Sequence, residues 1–210
     1  MGISIVAATE VNIQRAAELV KKGCLVVYPT ETVYGLGCDP YNAVAVKRLL
    51  ETKRREEKPI PLLVNNLAQA EKLAVFGVTS RRVADRFWPG SLTLILRRQE
   101  GAPTGLGGDP NLIGVRIPDH KGALRLIELS GGCLTGTSAN LTGKVSSTTV
   151  EDVLKQLGGK VDLILDGGRA RLGVSSTVLN LSDLKPKILR VGSINVGELS
   201  DFLGVDVEGG

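Results

Sequence analysis

Residues 28–37 read YPTETVYGLG. An apolar run, Cys24-Leu25-Val26-Val27, delivers Thr30, Glu31 and Thr32 to what the pattern marks as a strand end. Short hydroxyls in that place either cap the chain or face a ligand. Further on, Lys47, Arg48, Lys53, Arg54, Arg55 and Lys58 fall within twelve residues, with Glu51, Glu56 and Glu57 among them. Lysine meets phosphate as a point charge and arginine as a fork. Taken alone, such a run is more simply a solvated helix end. GTSANLTGK, residues 136–144, occupies the place of a phosphate-binding loop between a strand and a helix, but it is not a Walker motif. Six residues separate Gly136 from Gly143, and Val145 stands where Ser or Thr would hold a metal. A polar turn is the plainer reading of that string. Its crowding of Thr135, Thr137, Ser138, Asn140, Thr142, Ser146 and Ser147 nevertheless offers many neutral partners for phosphate or sugar oxygens. Arg116 closes an apolar strand, so it reads either as a carboxylate fork or as half of a structural ion pair.

Several chemistries are argued against. His120 is the single histidine, and Ser138 sits in GTSAN rather than in a GxSxG elbow, which speaks against a Ser-His-Asp hydrolase and against His-rich metal sites. The plain reading of His120 is a surface or capping residue. GLGCD and GLGGDP do not complete GxGxxG. The three cysteines, Cys24, Cys38 and Cys133, lack CxxC spacing and read as free thiols of a reducing, cytoplasmic compartment, with no zinc site. The chain has 210 residues, 42% of them hydrophobic and 3% aromatic, and a net charge of +4. That balance allows anionic partners without demanding them. No run approaches the ~20 apolar residues of a membrane span, and the N-terminus does not read as a signal peptide.

The elements that must position these residues alternate. Residues 3–7 read as a strand. Thr9 caps a helix to Lys22, in which Ile13, Ala16, Ala17 and Val20 recur at helical spacing. A strand over 24–28 runs into the TET motif, and the glycines 35 and 37 read as a turn. There follow a helix over 41–52, a strand over 60–64, helices over 67–74 and 79–88, and strands over 91–96 and 112–117. A helix over 121–129 and a strand over 133–135 come next. Thr148 to Glu151 reads as a capping box ahead of a helix carrying Val150, Val153, Leu154 and Leu157. Strands over 161–165, 176–181 and 187–191, a helix near 196–203 and a frayed tail complete the chain. With no repeat, linker or break in composition, the economical reading is one α/β domain over residues 1–210: a twisted mixed sheet with flanking helices.

In order along the chain, YPTETVYGLG, Lys53-x-Arg55 with KPIPLLV, WPGSLTLIL, VRIPDH, TSAN, LDGG, SSTV and LRVG resemble the YrdC-like family over roughly residues 10–195. The paired KxR and SxN signatures are far more specific than either alone. The chain departs from the family pattern at Glu56, Asn65 and Val191. The resemblance implies a short single-domain form with a concave basic cleft. It implies a nucleotidyltransferase that converts L-threonine, bicarbonate or CO2 and ATP into L-threonylcarbamoyladenylate and pyrophosphate. Other proteins then transfer the threonylcarbamoyl group to a tRNA adenosine. By the same resemblance Thr30, Thr32, Arg116, Gly136 and Ser176 form the L-threonine pocket, with Arg116 forking the carboxylate and the Gly35–Gly37 segment admitting substrate. Lys53 and Arg55 are the catalytic candidates and hold the ATP phosphates. Ser138, Asn140, Ser146 and Arg190 complete the nucleotide site. Mg2+ travels on the phosphates, with no protein metal site. When the nucleophile is a substrate carbamate, catalysis needs positioning and charge neutralisation more than an enzyme nucleophile, which suits this composition.

Two other readings stand beside it. A double-stranded RNA or tRNA-binding module without catalysis accounts for the +4 charge and the basic loop, but a site poor in aromatics does not suit base stacking. A carbamoyl-phosphate-dependent adenylate chemistry occurs in YrdC-like domains of hydrogenase-maturation proteins. The zinc-finger-like and acylphosphatase segments that accompany those domains are absent here.

Overall fold

The helical stripes written in the sequence are the buried faces of the folded chain, whose computed structural model describes residues 3–54 and 59–209. Strand β1 (Ser4–Ala7) precedes helix α1 (Glu10–Lys21), which buries Ile13, Ala16, Ala17 and Val20. Thr9 is its N-cap. Then come β2 (Val26–Tyr28), β3 (Gly35–Gly37), α2 (Ala43–Lys53), β4 (Leu62–Val64), α3 (Leu67–Leu73) and α4 (Val78–Phe87). Strands β5 (Leu92–Arg97) and β6 (Leu112–Arg116) are followed by α5 (Lys121–Leu129), β7 (Cys133–Thr135), β8 (Thr137–Ser138) and α6 (Val150–Leu157). The chain closes with β9 (Leu163–Asp166), β10 (Thr177–Asn180), β11 (Lys187–Arg190), α7 (Val196–Leu203) and β12 (Glu208–Gly209).

The α/β class and the mixture of parallel and antiparallel strands are as expected, but the strands divide between two sheets where the sequence reads as one. The five-stranded sheet has the order β1-β9-β2-β3-β8, and the seven-stranded sheet has the order β12-β11-β10-β5-β6-β4-β7. Strand β1 pairs in parallel with β9, Ser4 opposite Leu163. One buried cluster takes Val27 and Leu36 from the first sheet, Leu62 and Leu94 from the second, and Leu49 and Val153 from the helices. A second cluster packs α1 and α5 against Tyr28, Leu134, Leu163 and Leu165.

Three local readings change. The α6 capping box lies one residue later than Thr148–Glu151: Thr149 is the N-cap and Asp152 its partner. The Asp152 carboxylate accepts from the N–H groups of both Thr148 and Thr149, at 3.0 and 3.2 Å, and these bonds hold its pKa below the usual carboxylate range. The tail is not frayed at Glu208 and Gly209, which pair in parallel with β11. Finally, residues 35–37 are not a turn. They form β3, antiparallel to β2, with Gly35 opposite Tyr28. The fully buried Tyr28 ring lies across them, and its hydroxyl donates to the Thr135 carbonyl at 3.0 Å. A Cβ on Gly35 would sit 2.7 Å from Tyr28 Cζ, and one on Gly37 2.8 Å from the same ring. These glycines make room for a core tyrosine, not for a substrate.

Among the described residues no helix is long and apolar enough to cross a membrane. All three cysteines are free, and burial pushes the Cys38 and Cys133 thiols up to about 11, which leaves them as protonated packing groups.

Gly35→Ala is expected to destabilise the chain by about 1–3 kcal/mol through overpacking against Tyr28. The check is the urea midpoint at unchanged m-value; an unchanged midpoint would contradict the packing argument.

Candidate functional site

Strand periodicity builds the floor of a cavity on the seven-stranded sheet. Side chains two residues apart point to the same face. Thr93 and Ile95 of β5, Gly114 and Arg116 of β6, and Ser176 and Val178 at β10 all line one cavity of ≈ 330 Å³. Thr32 and Val33 from the loop after β2, and Thr137 and Ser138 of β8, bring the five-stranded sheet to it. The two sides are tied by backbone: the N–H of Thr135, at the end of β7 in the seven-stranded sheet, donates to the carbonyl of Cys38, just after β3 in the five-stranded sheet, at 3.2 Å.

Of the residues expected in the site, Thr32, Arg116, Gly136, Ser138, Ser176 and Arg190 line this cavity. Thr30 does not. Its hydroxyl accepts from the Thr32 and Val33 N–H groups and meets Thr32 Oγ1 at 2.8 Å, so it shapes the loop that presents Thr32. Gly136 passes so close to Leu63 that a Cβ would lie 2.6 Å from its Cγ. Asn140 is buried behind Ser138: its Oδ1 accepts from Ser138 Oγ at 2.5 Å, and its Nδ2 donates to Lys144 O at 2.6 Å. Ser146 is one hydroxyl removed from the wall, 3.3 Å from Ser175 Oγ. Arg55 lies outside the described residues, as do Glu56, Glu57 and Lys58.

Lys53 is 1% exposed. Its Nζ donates to Ser138 O and, at 2.7 Å, to Asn140 O. Its own carbonyl accepts from Thr142 Oγ1 at 2.9 Å. The KxR lysine therefore holds the SxN loop in shape, side chain and backbone together.

Among the described residues, the cations lining the cavity are Arg116 and Arg190. Arg190 donates from Nη2 to the Ser176 carbonyl at 2.8 Å and to Ser176 Oγ at 3.1 Å, while that Oγ meets Thr93 Oγ1 at 2.9 Å. Withdrawal from water and then the nearby Arg116 charge pull its pKa down. Among the described residues no carboxylate pairs with it. Arg116 is paired: Nη2 lies 2.5 Å from Glu31 Oε1, with side-chain exposures of 7% and 2%. Glu31 is the site residue that sequence reasoning passed over. The signal for it was a lone carboxylate between two threonines in an otherwise apolar segment.

His120 is the N-cap of α5, its Nδ1 accepting from the Ala123 N–H at 3.2 Å, which requires the neutral ring. Burial pulls its pKa below the ordinary 6.5.

Fold and cavity together define an α/β protein whose polar, cation-bearing ligand site lies where two sheets meet. The chain belongs to the Sua5/YciO/YrdC family, whose model, described as "Telomere recombination", matches residues 18–192. It is 40% identical over 197 residues to the threonylcarbamoyl-AMP synthase of Pyrococcus abyssi, covering 93% of this chain and 58% of that one. It is 35% identical over 203 residues to the putative threonylcarbamoyl-AMP synthase of Methanocaldococcus jannaschii, covering 94% and 96%. The crystal structure of P. abyssi Sua5 complexed with L-threonine matches with a TM-score of 0.92 at 38% identity, over 99% of this chain and 61% of that one. The chain thus spans less than two thirds of the P. abyssi relative and nearly all of the M. jannaschii one.

The His120 cap carries a pH signature. Below 6.5 the unfolded chain takes up a proton that the folded ring refuses, so stability falls as pH drops from there through the depressed folded pKa and then levels off. His120→Asn keeps a capping acceptor and removes the titration. Urea unfolding at about pH 7.5 and about pH 5.5 is expected to show a smaller loss for the variant than for the wild type; equal losses would contradict the assignment.

Proposed function

We propose that the chain is a threonylcarbamoyl-AMP synthase, a nucleotidyltransferase that makes L-threonylcarbamoyladenylate and pyrophosphate from L-threonine, bicarbonate or CO2, and ATP. The observation that carries the reading is the cavity itself. Thr32, Arg116 and Ser176 face it beside Ser138 and Arg190, so a small amino acid and a phosphate chain can be held within one ≈ 330 Å³ space. The naming of the relatives and the L-threonine complex of P. abyssi Sua5 support the same substrate.

In this reading Thr32, Ser176 and Arg116 orient L-threonine. Its neutral amine attacks the carbon of CO2, a C=O π pair moves onto oxygen, and the released proton passes to water, to give a carbamate. A carbamate oxygen attacks the α-phosphorus in line and pyrophosphate leaves. The reaction forms one N–C bond and one O–P bond and breaks the bond between the α-phosphorus and the bridging oxygen to the β-phosphate. Ser138 and Arg190 meet the nucleotide, and Lys53 fixes the loop that carries Ser138. Arg55, Asn140 and Ser146 complete the proposed nucleotide side, Asn140 through its bond to Ser138. No acid or base on the chain is needed for the in-line step, and preorganised donors lower the barrier by meeting charge as it develops. Among the described residues no group of three or more His, Cys, Asp or Glu side chains gathers for a metal, and the cavity lining offers hydroxyls and guanidiniums. Mg2+, which keeps phosphate and water ligands, would enter on the triphosphate and neutralise part of its charge. The product is passed in the cytoplasm to proteins that modify tRNA. An RNA-binding module without chemistry is not favoured: among the described residues no aromatic side chain lines the cavity, and the rings within the pairs Phe76–Trp88 and Phe87–Phe202 pack edge-on against each other.

The test is pyrophosphate release from ATP, Mg2+ and bicarbonate with and without L-threonine. Release is expected to require both threonine and bicarbonate. Lys53→Ala, which releases the loop carrying Ser138, is expected to lower it by about 10²-fold, measured on protein whose circular dichroism shows it folded. Threonine-independent release, or full activity in the variant, would contradict the proposal.

A further inference from the structure

A guanidinium carries five N–H donors in a fixed plane, and those of Arg116 can be followed one by one. Its Nε donates to the Gly90 carbonyl at 2.8 Å. Its Nη2 donates to Glu31 Oε1 at 2.5 Å and to Thr32 Oγ1 at 3.2 Å. Three donors are thereby used. The other two are both on Nη1, which has no partner among the described residues, and Arg116 lines the cavity. Both two-nitrogen forks of a guanidinium include Nη2. While Glu31 and Thr32 hold Nη2, a ligand carboxylate has neither fork available and meets Nη1 alone. The fork expected from the sequence is already occupied by the protein's own carboxylate.

Charge leads to the same residue. Glu31 is 3% exposed, and its second oxygen, Oε2, is buried without a hydrogen-bond partner among the described residues. A carboxylate so placed stays where it is only because a cation faces it, and a cation so placed is largely neutralised by the carboxylate. An incoming carboxylate therefore meets a neutral pair at Arg116. Among the described residues, the lining cation without a carboxylate partner is Arg190, on β11.

We propose that Glu31 is a positioning and specificity-setting residue: it fixes the guanidinium plane of Arg116 so that Nη1 is what a substrate carboxylate finds, and it cancels enough of the arginine charge that the carboxylate is oriented rather than bound tightly. This inference rests on the amino-acid reading of the cavity. It separates two effects that a simple ion pair would merge. Glu31→Gln keeps an acceptor for Nη2 and removes the charge, so orientation persists and attraction rises. Glu31→Ala removes both, leaving a buried guanidinium without its orienting partner.

Calorimetric titration of the full chain with L-threonine reads the difference without turnover. Relative to wild type, Glu31→Gln is expected to bind L-threonine about ten- to a hundredfold more tightly, the scale of one charge–charge interaction at an effective dielectric near 20, and Glu31→Ala more weakly. With 1-aminopropan-2-ol, which lacks the carboxylate, the Glu31→Gln gain is expected to vanish. A merely structural role would move both variants in the same direction, and weaker or unchanged binding by a folded Glu31→Gln would overturn the proposal. Wild type supplies a second measurement that needs no variant: L-threonine is expected to bind within about tenfold of L-threoninamide, and a preference above about a hundredfold would overturn the cancelling role. A wild type that binds no L-threonine at all would overturn the amino-acid reading, and this inference with it.

Discussion

A charged guanidinium withdrawn from water must be met by acceptors held in place, or the fold loses more than the contact contributes. Arg116 imposes that condition where two sheets meet. It projects from the end of β6 in the seven-stranded sheet, and its acceptors come from elsewhere: Gly90 from the segment before β5, Glu31 and Thr32 from the loop after β2 of the five-stranded sheet. Satisfying one side chain thereby fixes the spacing of both sheets. The condition propagates, because Glu31 O accepts from the Leu172 N–H at 2.8 Å, and so binds the segment leading to Ser175 and Ser176 into the same wall.

Lys53 applies the same logic on the other side of the cavity. A nearly fully buried ammonium at the end of α2 draws the carbonyls of Ser138 and Asn140 inward. Asn140 then uses its amide to hold Ser138 Oγ and Lys144 O. The hydroxyl-rich loop takes its shape from a cation that gathers its backbone carbonyls. One buried cation thus orders the Thr32 side of the cavity and another orders the Ser138 side.

What could be read from the sequence follows from which forces are local. The α1 and α6 stripes were legible because Ile13, Ala16, Ala17 and Val20, or Val150, Val153 and Leu157, recur within a few residues. Division into two sheets was not, because it depends on partners such as Ser4 and Leu163, whose pairing leaves no local pattern. The two-residue strands β8 and β12 are too short to show a period. Glycines 35 and 37 misled, since their cause is the Tyr28 ring rather than a turn. In the site, Arg116, Ser138, Ser176 and Arg190 were reached through motif resemblance, and the cavity gathers them. Glu31 was not reached, because a carboxylate at a strand end looks like a solvated charge until its arginine, 85 residues away, is placed beside it. Lys53 was expected at the phosphates from the KxR signature; its bonds to the Ser138 and Asn140 carbonyls, in a loop some 85 residues away, leave no local pattern to read.

The most direct measurement is a crystal structure of the chain with L-threonine bound. The carboxylate is expected against Arg116 Nη1 and beside Thr32, with Glu31 still on Nη2. L-threonine seated away from this cavity, or an Arg116 whose Nη1 stays uncontacted in the complex, would contradict the assignment of the site.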